Sequence, residues 1–301
     1  GGGGAAAKVQ WVLQEDEFAP GRVGCKARNL VALRRRVPDW VLVPRSVALP
    51  YGCLEAALAD PVNAATAAKL RDVVAQVEAW GNGGLPGVLL REARSLVAEG
   101  LSPPAGMRAA VRAGLLSAGL VPEEGPGSCA TDADPEWRAL FRSVCRVWAS
   151  KWNDRAWLSR RARRMHDDEL QVSVLLQQVL PAHYAFVLHT ASPLTGRRGE
   201  IFGELVSGLG ESLVANHPGR PLSFSDRPDG SATELLTLPS KRTGLFLPGT
   251  APYGESPAGA PPPRRLLIAR SDTSGEDMEG YAGAGLYDRC ARSASRRLGV
   301  S

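Results

Sequence analysis

The sequence predicts an α+β protein with long helices and short apolar strands. Apolar residues recur at helical spacing over residues 54–81 and 89–98, and a longer amphipathic stretch covers residues 135–165. Several short β-branched and apolar runs have the length and composition of strands. These runs cover residues 172–180, 184–190 and 266–269. Residues 122–136 are rich in proline and glycine, which predicts a surface loop or a boundary between two lobes.

The N-terminal part begins with a flexible Gly/Ala lead over residues 1–7. Val9–Leu13 is predicted to form a short strand, and Gly24 begins a helix that places Leu30 and Leu33 on one side. Residues 40–49 are apolar and β-branched with prolines between them, which predicts a strand and a turn. We interpret this last stretch as scaffold.

A glycine cluster, Gly81–Gly87, separates the two alanine- and leucine-rich helices. It does not fit the dinucleotide-binding pattern G-x-G-x-x-G because Pro86 stands at the sixth position, and the chain contains no Walker sequence. We therefore interpret the cluster as a turn between helices. Trp148, Trp152 and Trp157 recur at roughly helical spacing, which usually indicates core packing. Exposed tryptophans would instead suit a sugar ring.

Five arginines lie between residues 155 and 164, next to the run His166–Glu169, which is mostly acidic. They are Arg155, Arg160, Arg161, Arg163 and Arg164. One interpretation is a solvated helix end with compensating acids. The alternative is contact with a phosphate group.

The stretch most informative about chemistry covers residues 266–288. Leu266–Ala269 predicts a buried strand with Arg270 at its tip, after which the chain becomes polar and rich in glycine. Glycines let backbone N–H groups approach an oxyanion, hydroxyl groups add donors, and an arginine matches two phosphate oxygens at once. The stretch therefore predicts a phosphate site. The alternative is a polar turn in which Arg270 pairs with Asp272 or Glu276.

Residues 270–288 read R-S-D-T-S-G-E-D-M-E-G-Y-A-G-A-G-L-Y-D. This resembles the pattern R-S-D-x-N-G-E-D-L-E-G-Y-A-G-A-G-L-Y-D of the α-glucan, water dikinases, and more distantly R-S-S-A-x-x-E-D of phosphoenolpyruvate synthase and pyruvate, phosphate dikinase. Further resembling segments are V-P-R-S-V-A-L-P at 43–50, W-A-S-K-W-N-D-R-A at 148–156 and E-I-F-G-E-L-V-S-G-L-G-E at 200–211. The resemblance implies an ATP-grasp-like, two-lobed nucleotide-binding domain over residues 8–288, with a Pro/Gly-rich insertion at 248–263.

The resemblance implies two catalytic residues, Lys26 and Arg270. Residues 24–30 resemble G-x-K-x-x-N-L, in which the lysine reaches the nucleotide phosphates in this superfamily. Without that context, a lysine after a glycine is usually a solvated surface charge. Arg155 lies inside the segment at 148–156 and is the member of the arginine cluster best suited to contact a nucleotide phosphate or a phosphorylated partner domain.

The resemblance also implies a set of nucleotide-binding residues. Residues 172–180 resemble V-x-x-Q-x-M-V, where a strand end passes the adenine and supplies backbone hydrogen bonds between apolar walls. A β-hairpin core explains the same residues. Glu204 and Glu211 would face ATP as partners of ribose or lysine, or would be exposed glutamates beside a glycine turn. The predicted nucleotide-binding residues are Gln177, Gln178, Val179, Leu180, Glu204, Glu211, Asp272, Ser274, Gly275, Glu276, Asp277, Gly280 and Gly283.

Dikinases of this type bind ATP with Mg²⁺, pass the β-phosphate through a phosphohistidine to starch glucan, and release AMP and orthophosphate. None of His166, His183, His189 and His217 lies in the pattern of the nucleophile, so we expect the phosphohistidine in a separate upstream domain. The resemblance thus implies ATP, an α-glucan and a phosphohistidine domain as partners, and a plastid location. The alternatives are a phosphoglucan, water dikinase domain and an inactive remnant with an interaction or structural role.

The composition of the whole chain limits which classes of protein and partner are possible. The 301 residues are 44% hydrophobic and 22% charged, as is typical of globular proteins. No run approaches the eighteen or so consecutive apolar residues of a membrane span, and the net charge of +5 is compatible with nucleotide handling without requiring a polyanion. The five cysteines are scattered and contain no C-x-x-C pair, which predicts reduced thiols. We therefore expect neither a membrane nor a nucleic acid among the partners.

Both ends of the sequence differ from the family pattern. The chain begins on glycines without an initiator Met, which predicts a fragment. Residues 289–301 form a basic tail where the family continues with an acidic D-I-E segment and a terminal Q-T-R. We therefore expect a domain that is truncated at its C-terminal end and inactive on its own. Metal ligands do not follow from the sequence.

Overall fold

The computed structural model describes residues 9–81, 83–121, 134–214, 218–227, 229, 231–247, 266–274, 289–291 and 298–299. The chain forms two compact units. Unit 1 comprises residues 1–179 and 265–292, and unit 2 comprises residues 180–264 and 293–301. The predicted lobe boundary at 122–136 lies mostly outside the described residues and stays a prediction. In the structure the chain passes from unit 1 to unit 2 between Val179 and Leu180.

The described part of unit 1 contains seven helices. They are α1 (Cys25–Arg34), α2 (Cys53–Ala59), α3 (Ala64–Glu78), α4 (Gly87–Gly100), α5 (Met107–Ser117), α6 (Pro135–Ala149) and α7 (Asp154–Ala162). The predicted helix over 54–81 is divided at Pro61, which has no N–H, and the Asp60 carboxylate accepts instead from the N–H of Val62 (3.0 Å). The predicted helix over 135–165 is divided by a 3₁₀ turn at Ser150–Trp152. The sequence did not predict α5.

The strands form three antiparallel sheets. In chain order they are β1 (Ser46–Leu49), β2 (Val172–Val179), β3 (Tyr184–Ala191), β4 (Arg198–Ser207), β5 (Leu222–Asp226), β6 (Glu234–Thr237), β7 (Thr243–Gly244), β8 (Leu266–Thr273), β9 (Arg289–Ala291) and β10 (Leu298–Gly299). Unit 1 holds the sheet β1-β2-β8-β9, and unit 2 holds β3-β4-β5-β6 and the pair β7-β10. Helices and antiparallel sheets together confirm the predicted α+β class.

The structure corrects the expectations for three segments. The alternative of a β-hairpin core over residues 172–190 is wrong, because β2 and β3 both form but belong to different sheets. Val9–Leu13 makes a single bridge, between Leu13 and Ala48, and is not a strand. Residues 40–49 are extended into a strand only from Ser46 onward. Local composition predicts the extended tendency of a segment, but its pairing depends on distant residues.

The unit 1 sheet separates two environments. Alternate residues of a strand point to opposite faces, and on one face Val47, Val174, Leu176 and Ala269 belong to the main hydrophobic core. On the other face, Ala48 and Leu175 pack in a second cluster with residues that precede or form α1. These residues are Leu13, Val23 and Ala27. We call the two sides the core face and the α1 face.

The tryptophans at 148–157 are core residues, as predicted. Trp148 is 0% exposed, Trp152 2% and Trp157 6%. All three belong to the main core, and burying each such side chain stabilises the fold by about 1.5–3 kcal/mol. The alternative of an exposed platform for a sugar ring is therefore wrong for these residues. The glycine cluster Gly81–Gly87 is confirmed as a joint between two helices, because α3 ends before it and α4 begins at Gly87.

Part of the arginine cluster is internal to unit 1. Arg160 is 5% exposed and donates to the Asp167 carboxylate (3.4 Å), which also pairs with Lys151 Nζ (3.1 Å). Arg161 donates to two backbone carbonyl groups that follow α3. The acidic run thus compensates buried cations. Arg155 is exposed, and its contact with a phosphate stays a prediction.

Two of the cysteines are buried thiols without a disulfide, Cys53 and Cys145, as predicted. Burial raises the pKa of Cys53 to about 12 and raises the pKa of Cys145 as well. Both thiols are therefore protonated and unreactive near neutral pH. Within the described residues, no helix combines the length and the apolar character needed to cross a bilayer.

Candidate functional site

Arg270 lies within β8 and not at its tip, because the strand continues to Thr273. Its register partner on β2 is Leu175, so its side chain is on the α1 face of the sheet. The guanidinium donates to Oε1 of Gln177 (3.0 Å), a diagonal neighbour across the two strands. The predicted phosphate-binding arginine is thus held in a fixed position by a glutamine of the next strand.

Gln177 has an incomplete set of hydrogen bonds. The residue is 4% exposed, and its Nε2 has no hydrogen-bond partner within the described part of the chain. Because Oε1 accepts from Arg270, the amide cannot be reversed to satisfy Nε2. A buried donor without an acceptor costs about 1–3 kcal/mol, and such groups in native proteins need an explanation. An acceptor oxygen supplied by a ligand is one.

Lys26 is the second residue of α1, and its side chain is fixed against β8. Nζ donates to the backbone carbonyl of Ser271 (2.9 Å), the residue that follows Arg270. Lys26 is half-buried. The ammonium group is therefore held by the protein, and its contact with nucleotide phosphates stays a prediction. The two predicted catalytic cations are attached to consecutive residues of one strand.

The carboxylate of Asp272 occupies the N-terminus of α1. Oδ1 accepts from the N–H of Lys26 (2.9 Å) and Oδ2 from the N–H of Ala27 (3.2 Å), and the residue is 1% exposed. Helix N-termini attract anions, phosphate groups included, through their N–H groups and the helix dipole. Here an internal carboxylate fills that position. A phosphate at this site would therefore meet the Lys26 and Arg270 side chains and not the end of the helix.

Ser46 lies beside Gln177 on the adjacent strand, a position that the sequence did not predict. Ser46 is the register partner of Gln177 on β1. Its N–H and Oγ both donate to Oε1 of Glu15 (2.9 and 2.8 Å), which also accepts from Arg34 (2.9 Å). Ser46 is part of the segment V-P-R-S-V-A-L-P, but nothing in the sequence links it to Glu15.

The main chain of β2 limits where an adenine edge can lie. From Val174 to Gln177, β2 has a paired strand on both sides, and the N–H of Gln178 donates to the carbonyl of Arg45 (3.2 Å). Beyond Gln178, β2 pairs with β8 alone in the described residues. Among the four residues predicted to supply the edge, Val179 and Leu180 thus have the main chain least engaged by strand pairing. Adenine binding there stays a prediction.

The remaining predicted residues lie in unit 2 or in the glycine-rich segment. Glu204 is half-buried on β4, and Glu211 is the first residue of α8 (Glu211–Val214). The glycine turn before α8 is confirmed: Gly208 has φ +80°, and a Cβ there would lie 2.2 Å from the carbonyl oxygen of Leu245. Ser274 is held by Gln171, whose N–H donates to Ser274 Oγ (3.1 Å). Outside the described residues lie Gly275, Glu276, Asp277, Gly280 and Gly283.

The described residues contain no preformed cluster of metal-binding side chains. No group of three or more His, Cys, Asp or Glu side chains within them could hold a metal ion. The carboxylate nearest to Lys26, Asp272, uses both oxygens at the helix N-terminus. The requirement for Mg²⁺ therefore stays a prediction from the resemblance.

Two kinds of sequence similarity connect the chain with known proteins. Residues 94–227 match the family described as pyruvate phosphate dikinase, AMP/ATP-binding domain. Over 280 residues, 93% of the chain, the sequence is 38% identical to the chloroplastic α-glucan water dikinase of Citrus reticulata. Over most of its length, the chain is thus similar to chloroplastic α-glucan water dikinases. The corresponding dikinase of Solanum tuberosum is 37% identical over 92% of the chain, and α-glucan water dikinase 1 of Arabidopsis thaliana is 37% identical over 93%.

The match covers a limited part of these relatives. The chain spans 17% of the length of the Citrus and Solanum α-glucan water dikinases and 18% of the Arabidopsis enzyme. It carries an AMP/ATP-binding domain of this kinase-type family, and the matched range 94–227 includes β2 and β4. Lys26 and Arg270 lie outside that range. Their role rests on the geometry of the α1 face and on the resemblance of the whole chain.

Proposed function

We propose that this chain binds ATP as the nucleotide-binding domain of an α-glucan, water dikinase. The observation that carries the proposal is the buried Nε2 of Gln177, which lacks an acceptor and belongs to a glutamine fixed by Arg270. A phosphate or ribose oxygen would supply that acceptor. The guanidinium of Arg270 would then bind the same group, since arginine matches phosphate oxygens in a planar, bidentate geometry.

The charges of the α1 face support an anionic ligand. Arg270 and Lys26 bring two cations to one strand, whereas the adjacent carboxylate of Asp272 is compensated by the N–H groups of α1. Phosphoryl transfer needs little covalent chemistry from the protein and depends mainly on positioning and charge neutralisation. In the proposed ATP-grasp-like arrangement, Lys26 and Arg270 hold the phosphates and Gln177 orients one of their oxygens.

The reaction proposed for the whole protein follows from the family. The β-phosphate of ATP would pass to a phosphohistidine domain outside this chain and then to starch glucan, with release of AMP and orthophosphate. The acceptors would be a glucan and water, as the names of the relatives imply. Those relatives are named as chloroplastic, which supports a plastid location.

The test is a calorimetric titration of the 301-residue chain with Mg-ATP. Gln177→Leu keeps the volume of the side chain but removes both the donor and the oxygen that holds Arg270. Gln178→Leu is the matched control, because its side chain lies on the other face of β2 and the role predicted for Gln178 is a backbone hydrogen bond that the substitution keeps. We expect Gln177→Leu to weaken binding about two- to ten-fold, as one hydrogen bond contributes about 0.5–1.5 kcal/mol. Gln178→Leu should leave binding unchanged.

Two results would contradict the proposal. The first is a wild-type chain that is folded by circular dichroism and does not bind ATP. The second is a Gln177→Leu variant that binds ATP as tightly as the wild-type chain and Gln178→Leu do. The first result would also favour the alternative of an inactive remnant with an interaction role.

A further inference from the structure

Asp272 is fixed from both its backbone and its side chain. Its carbonyl oxygen accepts from Oγ of Ser173 (2.6 Å) on the neighbouring strand. Its carboxylate reaches the first turn of α1, where it accepts from the N–H groups of Lys26 and Ala27. The residue thus connects β8 directly to the helix that carries Lys26, across 246 positions of sequence.

Gly24 makes this connection sterically possible. A Cβ at Gly24 would lie 2.3 Å from Oδ1 of Asp272, far inside the van der Waals distance. The φ of Gly24 is −80°, which any residue adopts. The glycine is therefore required for the close approach of the carboxylate and not for an unusual backbone conformation.

The chemistry of the contact requires a carboxylate. Two backbone N–H groups converge on two oxygens, and a buried negative charge at a helix N-terminus is stabilised by the helix dipole. An asparagine would present an NH₂ group to one of the two N–H donors. The contact would then hold one N–H group and repel the other.

The same strand also holds the Lys26 side chain. Nζ donates to the carbonyl of Ser271, the residue directly before Asp272. Two consecutive residues of β8 thus fix the backbone and the ammonium group of one lysine. Arg270 precedes them on the same strand.

We propose that Asp272 is a positioning residue: it holds the N-terminus of α1 on β8 so that the Lys26 ammonium stands beside Arg270, and it does not itself contact nucleotide or metal. This inference rests on the proposed function for its effect on ATP binding. Its structural part, the control of Lys26 by Asp272, is independent of any ligand.

The experiment compares Asp272→Asn with Asp134→Asn in the 301-residue chain. Asp134 also caps a helix, since its carboxylate accepts from the N–H of Glu136 (2.8 Å) at the start of α6. The chain has five lysines, so ¹³C reductive methylation gives a spectrum in which Lys26→Arg assigns the Lys26 signal. The shift and pH midpoint of that signal are measured without nucleotide, and the Kd for Mg-ATP is measured separately.

We expect Asp272→Asn to move the Lys26 signal toward that of a solvent-exposed dimethyl-lysine and to raise the Kd for ATP about ten-fold or more. Asp134→Asn should leave both unchanged, although it also replaces a carboxylate by an amide at a helix N-terminus. Gly24→Ala, which alters no charge, should move the Lys26 signal in the same direction as Asp272→Asn. Gly24→Ala decides the question if Asp272→Asn does not fold.

An unchanged Lys26 signal in Asp272→Asn, or in Gly24→Ala where Asp272→Asn does not fold, would overturn the inference. So would a folded Asp272→Asn chain that binds ATP as tightly as the wild-type chain while Lys26→Ala weakens binding. If Lys26→Ala leaves ATP binding intact, the proposed role of Lys26 fails. The nucleotide-free spectrum would still decide whether Asp272 positions it.

Discussion

The two faces of the unit 1 sheet are built from the same strands but bury different kinds of side chain. On the core face, Leu176 is 0% exposed and belongs to an apolar cluster with Trp148. One residue further along β2, on the α1 face, Gln177 is equally inaccessible but polar, with one amide group unsatisfied. The comparison shows that burial alone does not distinguish a structural position from a functional one. An unpaired buried donor does not distinguish them either, because Trp148 Nε1 also lacks a partner among the described residues. What sets Gln177 apart is its contact with the cation Arg270.

The largest expected effect is on stability and comes from a substitution on the core face. Leu176→Ala should lower the free energy of unfolding by about 2–5 kcal/mol, because it leaves a cavity in a fully buried cluster. Denaturant unfolding monitored by tryptophan fluorescence measures the change. Trp40→Ala is the control, since Trp40 is 83% exposed and should change stability by less than about 0.5 kcal/mol. Equal losses in the two variants would contradict the assignment of the core.

A change on the α1 face should act on the ligand instead. Arg270→Ala should weaken ATP binding about ten- to a hundred-fold, because a hydrogen bond to a charged group contributes about 1.5–3 kcal/mol. Calorimetry measures the Kd. The comparison is Leu176→Ala, measured in buffer without denaturant under conditions where this variant is folded. If the core variant lost as much ATP affinity as Arg270→Ala, the two faces would not be functionally distinct.

The junction between α1 and β8 should show an intermediate effect on stability. Gly24→Ala forces a methyl group against the Asp272 carboxylate and should cost about 0.5–2 kcal/mol, the range for loss of an N-terminal cap. Gly21→Ala is a useful contrast. A Cβ there has no neighbour within 4 Å, but φ is +78°, so its cost would come from backbone strain alone. Hydrogen exchange of the α1 amides should rise in Gly24→Ala and stay near the wild-type rate in Gly21→Ala.

The smallest expected effect concerns the pH dependence of stability and comes from Glu200 in unit 2, a buried carboxylate that accepts hydrogen bonds. Glu200 accepts from Thr195 Oγ1 (2.6 Å) and Ser225 Oγ (3.0 Å), and these hydrogen bonds hold its pKa below the usual value of 4.5. A lowered pKa in the folded state stabilises the protein above pH 4.5, and this contribution is lost as the pH falls through the lowered pKa. Protection of the β4 and β5 amides from exchange should therefore fall below pH 4.5 in the wild-type chain.

Glu200→Gln should remove this component of the pH dependence, because glutamine does not titrate. Glu234→Gln is the control, since Glu234 is exposed on β6. An identical acid response in wild type and Glu200→Gln would contradict the assignment. A confirmed response would show that a buried polar residue with complete hydrogen bonds contributes to stability, in contrast to Gln177.

The sequence predicted the local features of this molecule better than the distant ones. Helical spacing and the buried tryptophans were confirmed, because periodicity is a local property. The strand that pairs with β2 was not predicted: a hairpin with residues 184–190 was left open as an alternative, whereas the structure pairs Val172–Val179 with β8, about a hundred positions further along the chain. Local composition contains no information about such pairing.

In the candidate site, too, residue types were predicted from the sequence but contacts between distant segments were not. The resemblance indicated Lys26 and Arg270, and the structure attaches both to β8. It also indicated Gln177 and Asp272, but as an adenine edge and a nucleotide ligand. The side-chain contact of Gln177 with Arg270 and the cap on α1 follow from register and helix placement, which residue types do not determine. A glutamine inside the apolar run Val174–Val179 was the one available signal of a special role.

The discontinuity of unit 1 has a consequence for biosynthesis. Most of unit 2 is synthesised after β2 and before β8, so the ribosome adds residues 180–264 while the unit 1 sheet lacks a central strand. During that interval the edge of β2 that later pairs with β8 is open, and open strand edges favour association between chains. Only after Thr273 emerges can the sheet close and α1 acquire its cap. The proposed nucleotide site can therefore form only after residues 180–264 have been synthesised, and a nascent chain arrested before residue 266 would expose an open strand edge.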